Sequence, residues 1–300
     1  MTPVIATHRL ARRFGRSDAV DDVSLSVEAG SIYGFLGPNG AGKTTTIKLL
    51  MNILEPSRGN ASVLGVDSRQ LAPADFARIG YVSENQKLPQ WMTVPRFLSY
   101  CRAFYPTWDE RLEQDLLRRL DLPARKNLKS LSRGMRMKAA LVSSIAYRPK
   151  LLVLDEPFSG LDPLVRDELM DCILGMSAET DWTVFISSHD LAEIESVASH
   201  IGYIDQGRLR FSEELPSLQA RFREVQVNGV AHREAPWPKD WIRPSATGTV
   251  TRFVVSRYSE ETTPAEIRAL FPACETWEAR PMSLREIFVA LAGNHKGGAA

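Results

Sequence analysis

Gly37-Pro38-Asn39-Gly40-Ala41-Gly42-Lys43-Thr44 has the full pattern of a phosphate-gripping loop, and the fold of the chain is predicted around it. An apolar run, Ile32–Leu36, precedes the loop, and the residues after it, from Thr45 to Met51, have a helical pattern. Glycines let successive backbone N–H groups turn toward phosphate oxygens, and the helix that follows adds the positive end of its dipole. Strand, loop and helix together therefore predict a site for nucleotide phosphates.

Two side chains of this loop have predicted roles in the chemistry. Lys43 is predicted to reach the β- and γ-phosphates, which also makes it a catalytic candidate, and the Thr44 hydroxyl is suited to hold Mg²⁺. The residues of the loop predicted to bind nucleotide are Gly37, Asn39, Gly40, Ala41, Gly42, Lys43, Thr44 and Thr45. The loop therefore predicts a nucleoside triphosphate and Mg²⁺ as cofactors.

Composition limits the classes of function that remain. The chain has 300 residues, 44 % of them hydrophobic and 24 % charged, and its net charge of +1 creates no overall field for nucleic acid. No run approaches the roughly 18 to 20 apolar residues of a membrane helix, and residues 1–10 lack the apolar core of a signal peptide. The three scattered cysteines, Cys101, Cys172 and Cys274, fit reduced thiols used in packing. We expect a cytoplasmic protein that neither spans a membrane nor is secreted.

Apolar runs alternate with helical stretches over the first two thirds of the chain. This alternation predicts an α/β fold with a buried, largely parallel sheet and ligand chemistry at the carboxyl ends of its strands. The predicted strands are Val23–Val27, Ser31–Leu36, Ile79–Ser83, Leu151–Asp155, Thr183–Ser187 and Ile201–Asp205.

Two regions depart from this alternation. From Pro89 to Leu131 the strand signal disappears and amphipathic helices are predicted, so this region is interpreted as a helical insert. After about Phe211 the pattern indicates a small α+β extension. The predicted helices are Val94–Phe104, Arg111–Asp121, Met135–Tyr147, Pro264–Phe271 and Ser283–Leu291, and the strands of the extension are Val225–Val230 and Val250–Ser256. The predicted domains are 1–211, with the insert at about 88–147, and 212–300.

A second nucleotide motif ends the apolar run Leu151–Asp155, where two acids stand side by side. Asp155 is predicted to bind Mg²⁺ directly or through water. Because side chains alternate along a regular strand, Glu156 is expected to point away from Asp155 and to serve as the general base for the attacking water. A positioned base typically contributes about 10² to 10⁴ in rate.

Leu131-Ser132-Arg133-Gly134-Met135-Arg136 resembles the signature motif of ABC transporter ATPases, and the other motifs of that family follow in order. Ser159-Gly160-Leu161-Asp162 resembles the D-loop, His189 resembles the switch histidine, and Phe14 resembles the aromatic residue that stacks on adenine. The resemblance covers about residues 2–211. It implies a P-loop NTPase of the ABC type, with the insert as its helical subdomain.

The resemblance also implies how the subunits assemble. Two ATPase domains, identical or different, are expected to form a head-to-tail dimer in which Ser132 and Gly134 of one subunit contact the ATP held by the other. His189 is expected to sense the γ-phosphate, and Asp162, grouped with the nucleotide-contacting residues, is expected to orient the opposing subunit. Two roles stay open at this point, because Ser132 is also suited to cap a helix and Phe14 to be a core aromatic.

The sequence departs from the family pattern at two sites. Glu84 stands where the family usually has glutamine, and Gln86 follows it, so which of the two contacts the metal is open; Glu84 is taken as the metal candidate. Arg133 and Met135 replace the commonest glycine and glutamine of the signature. Arg133 either adds a cation near the nucleotide of the partner or faces solvent.

The family implies a separate integral membrane permease as partner, with the ATPase held at the inner face of the cell membrane. Its docking groove would lie at Glu84–Phe104, where Leu88, Trp91, Met92, Val94 and Phe97 are candidates for either the groove or the core of the insert. The tail Met282–Leu291 resembles the extension of export-type systems, either regulatory or a packing appendage. The alternatives are a soluble ABC-type ATPase acting on a ribosome or nucleic acid, for which the net charge is unfavourable, and a nucleotide-responsive dimer with little hydrolysis.

Overall fold

The computed structural model describes residues 2–84, 86–179, 182–229 and 236–294. The chain forms two compact units, and the boundary between them lies after Ser212. Along the first unit and across its end the strands are β1 (Ile5–Phe14), β2 (Ser17–Val23), β3 (Ser26–Val27), β4 (Ile32–Leu36), β5 (Arg58–Val63), β6 (Val66–Asp67), β7 (Ile79–Ser83), β8 (Leu151–Asp155), β9 (Thr183–Ser188), β10 (His200–Asp205) and β11 (Arg208–Glu214). The helices are α1 (Lys43–Leu50), α2 (Pro73–Phe76), α3 (Val94–Arg102), α4 (Glu110–Arg119), α5 (Arg133–Ile145), α6 (Pro163–Glu179) and α7 (Leu191–Glu195), with 3₁₀ turns at Ser68–Gln70 and Leu128–Ser130.

A six-stranded sheet in the order β11-β10-β4-β9-β8-β7 forms the centre of the first unit. Strands β10, β4, β9, β8 and β7 pair in parallel, which confirms the parallel sheet predicted from the sequence. Every residue of β4 and β8 is buried, as expected for strands covered on both faces. In the register of this sheet Ser83, Asp155 and Ser187 are successive neighbours, so the carboxyl ends of β7, β8 and β9 meet at one edge.

A second sheet, in the order β2-β1-β5-β6 with β3 paired to β1, is antiparallel. The prediction of one strand at Val23–Val27 is wrong, because β2 ends at Val23 and the next strand, β3, begins at Ser26. The Thr7 hydroxyl explains the break, since it donates to Val23 O at 2.9 Å and accepts from Leu25 N at 2.9 Å. A side chain thus takes the backbone groups that a continuous strand would pair.

Helices α3, α4 and α5 occupy the region predicted as a helical insert. The predicted segments Val94–Phe104 and Arg111–Asp121 are confirmed as helices within two residues at each end. Helix α5 begins at Arg133, before the predicted Met135, because the Ser132 hydroxyl already accepts Met135 N–H as its N-cap. None of the helices in the described part of the chain has the length and apolar character needed to cross a bilayer.

The second unit is an α+β assembly built on a four-stranded sheet in the order β13-β14-β12-β15, in which every pairing is antiparallel. Pro244, expected between strands, lies inside β13 at a register shift between Ile242 and Ser245, where a residue without an N–H is tolerated. Val230, the predicted end of a strand, lies outside the described residues. The elements of this unit are α8 (Leu215–Arg221), β12 (Arg223–Asn228), β13 (Trp241–Thr247), β14 (Val250–Val255), α9 (Thr263–Leu270), β15 (Thr276–Pro281) and α10 (Leu284–Asn294).

Candidate functional site

The carboxyl edge of the parallel sheet opens into a cleft of about 440 Å³. Residues from distant parts of the sequence line it, because β4, β7, β8 and β9 all end there. The lining residues are Ala19, Asn39, Gly40, Ala41, Gly42, Lys43, Thr44, Thr45, Glu84, Glu156, Ser159 and His189. The structure therefore brings together most of the residues that the sequence nominated for nucleotide, metal and catalysis.

Glycine shapes the loop that forms the floor of this cleft. Gly42 has φ 109° at the N-cap of α1, and a Cβ there would meet Ala19 O at 2.4 Å. Gly37, just outside the lining, has no room for a side chain either, because its Cβ would meet Ile204 O at 2.2 Å. No side chain caps α1, so the amides of its first turn are not used by a cap of its own. Such a helix start is suited to bind an anion.

The Lys43 ammonium is held at the centre of the site. Its Nζ donates to Gly37 O at 2.6 Å and to Pro38 O at 3.1 Å, and the side chain is buried. Glu156 Oε1 lies 3.0 Å from the same Nζ, but it has no aligned hydrogen bond, so this contact is a pairing of charges. A phosphate that reached Lys43 would compete with Glu156 for the ammonium.

Asp155 lies beside the loop at the end of β8. Its Oδ1 accepts hydrogen bonds from Thr44 Oγ1 at 3.0 Å and from Ser187 Oγ at 2.9 Å. Burial raises the pKa of Asp155, although the hydrogen bonds from Ser187 and Thr44 oppose that shift. Ser187 also accepts the backbone N–H of Glu156 at 3.0 Å. Sequence reasoning missed Ser187 as a site residue; its position at the end of a predicted strand was the available signal.

Glu156 leaves the strand instead of continuing it. Its φ of 52° lies in the left-handed region, which costs a residue other than glycine about 1 to 2 kcal/mol. Because β8 ends at Asp155 and the backbone turns at Glu156, the alternation of a regular strand does not apply to this pair. Both carboxylates lie at the carboxyl end of the sheet. Glu156 Oε2 lies 2.8 Å from His189 Nδ1, and its Oε1 faces Lys43. One carboxylate thus links the lysine and the histidine.

The donor atoms near Thr44 and Asp155 fit Mg²⁺. A hydroxyl and a carboxylate are the hard oxygen ligands that this ion prefers, and Glu84 adds a second carboxylate to the cleft. Within the described residues no group of three or more His, Cys, Asp and Glu side chains could hold a metal alone. This suits an ion that completes its coordination with nucleotide phosphates and water. Gln86 lines a neighbouring groove and not this cleft.

Besides Gly37 and Asp155, which lie directly beside the lining, four nominated residues do not line the cleft of their own chain: Phe14, Ser132, Gly134 and Asp162. Phe14 is 46 % exposed, so it is not a core aromatic, and the Arg12 guanidinium lies over its ring at 4.8 Å. Ser132 caps α5, and Asp162 Oδ1 accepts Leu164 N–H at 2.9 Å at the start of α6. Their roles toward nucleotide stay predictions.

Gly134 has a reason within its own chain for being glycine. A Cβ at this position would meet Val165 Cγ1 at 2.7 Å, so α5 packs closely against α6 there. The Arg133 side chain, next to it, is 45 % exposed, as expected for one that faces solvent, and its place relative to a partner's nucleotide stays a prediction. Its Nη2 donates to Glu84 Oε1 at 2.7 Å within the same chain.

Comparison with known proteins shows the family. The model of the ABC transporter family matches residues 20–159. The bacitracin transport ATP-binding protein BcrA of Bacillus licheniformis is 33 % identical over 72 % of this chain and 71 % of its own length. The ABC transporter ATP-binding protein YtrB of Bacillus subtilis is 28 % identical over 98 % of this chain and 99 % of its own. The chain therefore belongs to the ATP-binding proteins of ABC transporters, and it is an ATPase of that family.

Solved structures agree with this assignment. An ATP-binding subunit of an ABC transporter superposes with a TM-score of 0.66 and 26 % identity, over 72 % of this chain and 92 % of the other. A dimeric bacterial ABC transporter cassette superposes with a TM-score of 0.63 at 20 % identity, over 70 % of this chain and 98 % of the other, which is a likeness of fold. The P-loop fold of the ABC type, expected from the motifs, is thereby confirmed.

Proposed function

We propose that this chain pairs with a second copy or with another ABC ATPase around two Mg²⁺-bound ATP molecules, and that hydrolysis drives transport through a separate membrane permease. The observation that carries the proposal is the linked set Lys43, Glu156 and His189 beside the Thr44–Asp155 pair in one cleft. These groups are the ones that phosphoryl transfer needs for charge neutralisation, water activation and metal binding.

The chemistry follows from what each side chain can do. The Lys43 ammonium leaves its ion pair with Glu156 and pairs with a phosphate oxygen, which frees the Glu156 carboxylate. Glu156 then takes a proton from water as the water oxygen bonds to the γ-phosphorus and the bond to the ADP oxygen breaks. His189, held through Nδ1 by Glu156, has its Nε2 left for the departing phosphate. Thr44 and Asp155 hold Mg²⁺, which neutralises charge on the phosphates.

No helix among the described residues is long and apolar enough to cross a membrane. A separate permease would therefore supply the path for the transported molecule. Among the residues predicted for the docking groove, Met92, Val94 and Phe97 are buried in the insert, whereas Trp91 is 70 % exposed. The edge of the insert also exposes Tyr100 and Phe104, whose rings meet edge to face at 5.2 Å. We propose that Trp91 with this aromatic pair forms the permease contact, which would place the ATPase at the inner face of the membrane.

The direction of transport is proposed to be export. The tail Met282–Leu291, which resembles the extension of export-type systems and contains most of α10, supports this direction, whereas the likeness to a bacitracin transport ATP-binding protein supports transport without a direction. The second unit is proposed to be an accessory domain that stabilises the dimer or regulates turnover.

Copurification from membranes tests the proposal. The full chain should recover a membrane protein with many helices from detergent extracts, and Trp91→Glu should reduce that recovery about tenfold. Ile53→Glu is the matched control, because Ile53 is 53 % exposed and lies outside the insert. Recovery of ribosomes or nucleic acid by the unaltered chain, without a membrane protein, would overturn the transport function. Equal losses for both variants would overturn the aromatic contact.

A further inference from the structure

The two departures from the family pattern touch each other. Glu84, which stands where glutamine is usual, accepts a hydrogen bond from Arg133, which stands where the signature usually has glycine. The distance from Arg133 Nη2 to Glu84 Oε1 is 2.7 Å. These residues are 49 positions apart in the sequence, so their contact is a property of the fold.

Both partners are anchored at functional loops. The Glu84 N–H donates to Asp155 O at 2.9 Å, which ties this residue to the end of β8, and its side chain lines the phosphate cleft. Arg133 is the first residue of α5, directly after the cap Ser132. Its guanidinium also lies against the D-loop, because a Cβ on Gly160 would meet Arg133 Nη1 at 2.7 Å.

Stability does not explain this pair. The Glu84 and Arg133 side chains are 31 % and 45 % exposed, and ion pairs at such sites contribute about 0 to 1 kcal/mol to folding. The charges of the cleft give a better reason. Of the two carboxylates that line it, Glu156 is balanced by Lys43 and Glu84 by Arg133, whereas Asp155 beside them accepts hydrogen bonds from Thr44 and Ser187.

We propose that Arg133 is a positioning residue that neutralises Glu84 and holds it at the edge of the magnesium site. A carboxylate can then occupy the position of a neutral amide without adding net negative charge beside the metal. This inference rests on the proposed ATP and Mg²⁺ chemistry. Arg133 would thus act within its own subunit, beside the nucleotide bound by the phosphate loop of that same subunit.

The test measures how much Mg²⁺ strengthens ATP binding. The quantity is the ATP dissociation constant in EDTA divided by that in saturating Mg²⁺, determined on the full chain carrying Glu156→Gln to block hydrolysis. Arg133→Gln leaves Glu84 uncompensated and should raise this ratio about three- to tenfold. Glu84→Gln leaves Arg133 uncompensated and should lower it by a similar factor. The double variant should return to within about twofold of the parent.

Two further variants sharpen the result. Arg133→Lys keeps the charge and should stay within about twofold of the parent. Arg136→Gln removes the same charge from the same helix, but its guanidinium donates to Leu131 O and not to Glu84, so its shift should be less than half that of Arg133→Gln.

The opposite signs decide the question, because a purely structural loss would weaken binding in both single variants. Ratios that move in the same direction, or that change less than twofold in both, would overturn the inference. Failure of the Glu156→Gln parent to bind ATP at all would instead overturn the proposed function. The two failures are therefore distinguishable.

Discussion

The starts of α1 and α5 are built differently, although both are expected to meet an ATP phosphate. Helix α1 has Gly42 as its N-cap residue and no side-chain cap, inside the cleft and beside Lys43. Helix α5 has Ser132 as its N-cap, whose hydroxyl accepts Met135 N–H at 3.2 Å, and Ser132 does not line the cleft of its own chain. The first helix start is ready for an anion as it stands, whereas the second is satisfied by its own cap.

The two helix starts are therefore expected to have different roles in the proposed site. The α1 end has a buried cation and backbone donors, so it can bind a nucleotide in a single subunit. The α5 end has a hydroxyl that can still donate its proton, while its neighbour Arg133 is bound to Glu84. We therefore expect the α5 end to contribute to dimer closure and turnover more than to the initial binding of ATP.

Glu156→Gln should give the largest effect, and it acts at the α1 end. The amide cannot take a proton from water, so ATP turnover should fall by about 10² to 10⁴. ATP binding should persist, because the neutral side chain no longer competes for Lys43. Phosphate release and equilibrium ATP binding measure the two quantities, and turnover at the parental rate would remove Glu156 from the role of base.

Ser132→Ala should give an intermediate effect at the α5 end. Loss of the hydroxyl should lower turnover about tenfold and leave the ATP affinity of the single subunit within about twofold. Loss of the cap should also reduce the free energy of unfolding by about 0.5 to 2 kcal/mol.

A second capped helix provides the matched control for Ser132. Asp109 caps α4 by accepting Arg111 N–H and Leu112 N–H and also pairs with Arg148, so Asp109→Ala should cost at least as much stability. Its turnover, corrected for the folded fraction, should stay near that of the parent. If both variants lose turnover equally, Ser132 is a cap and has no role toward nucleotide.

Glu286→Gln should give the smallest effect, at a third kind of helix start. Ser283 and Glu286 exchange hydrogen bonds as a capping box before α10, and the hydrogen bond from Arg280 to Glu286 lowers the pKa of Glu286 to about 2. Because the folded pKa lies below the unfolded value, this stabilisation is present above about pH 4.5 and is lost as pH falls toward 2.

Thermal unfolding across pH measures this contribution. At pH 7 Glu286→Gln should lower the free energy of unfolding by about 1 kcal/mol, a modest value because the side chains of Glu286 and Arg280 are 39 % and 52 % exposed. The difference from the parent should disappear as pH approaches 2. A difference independent of pH would show that the charge of Glu286 is not its source.

Local patterns predicted the parts of the site that lie within one element or directly after it. The glycine loop and the acids after β8 were found because each follows an apolar strand, whereas His189 after β9 was found because it also matches the switch histidine of the family. The sequence could not show that Glu156 turns into the left-handed region. It also could not show that Ser187 bridges Asp155 and Glu156, because those contacts depend on the register between β8 and β9.

The fold was predictable where burial was complete. Strands β4 and β8 read as continuous apolar runs, whereas β1 carries charged residues among its buried ones and was not predicted. In the second unit β13 was obscured by Pro244. The contact between Glu84 and Arg133 was out of reach for a different reason, since two unusual residues far apart in sequence reveal nothing about their distance in space.

The mass of the Glu156→Gln variant with saturating ATP and Mg²⁺ shows whether ATP brings two subunits together. By light scattering after size exclusion, we expect a species of twice the 33.5 kDa of one chain. The same chain should stay at the mass of one subunit without nucleotide, and adding Ser132→Ala should reduce the dimer. A Glu156→Gln chain that binds ATP and remains a single subunit, even with its copurified membrane partner, would contradict the account.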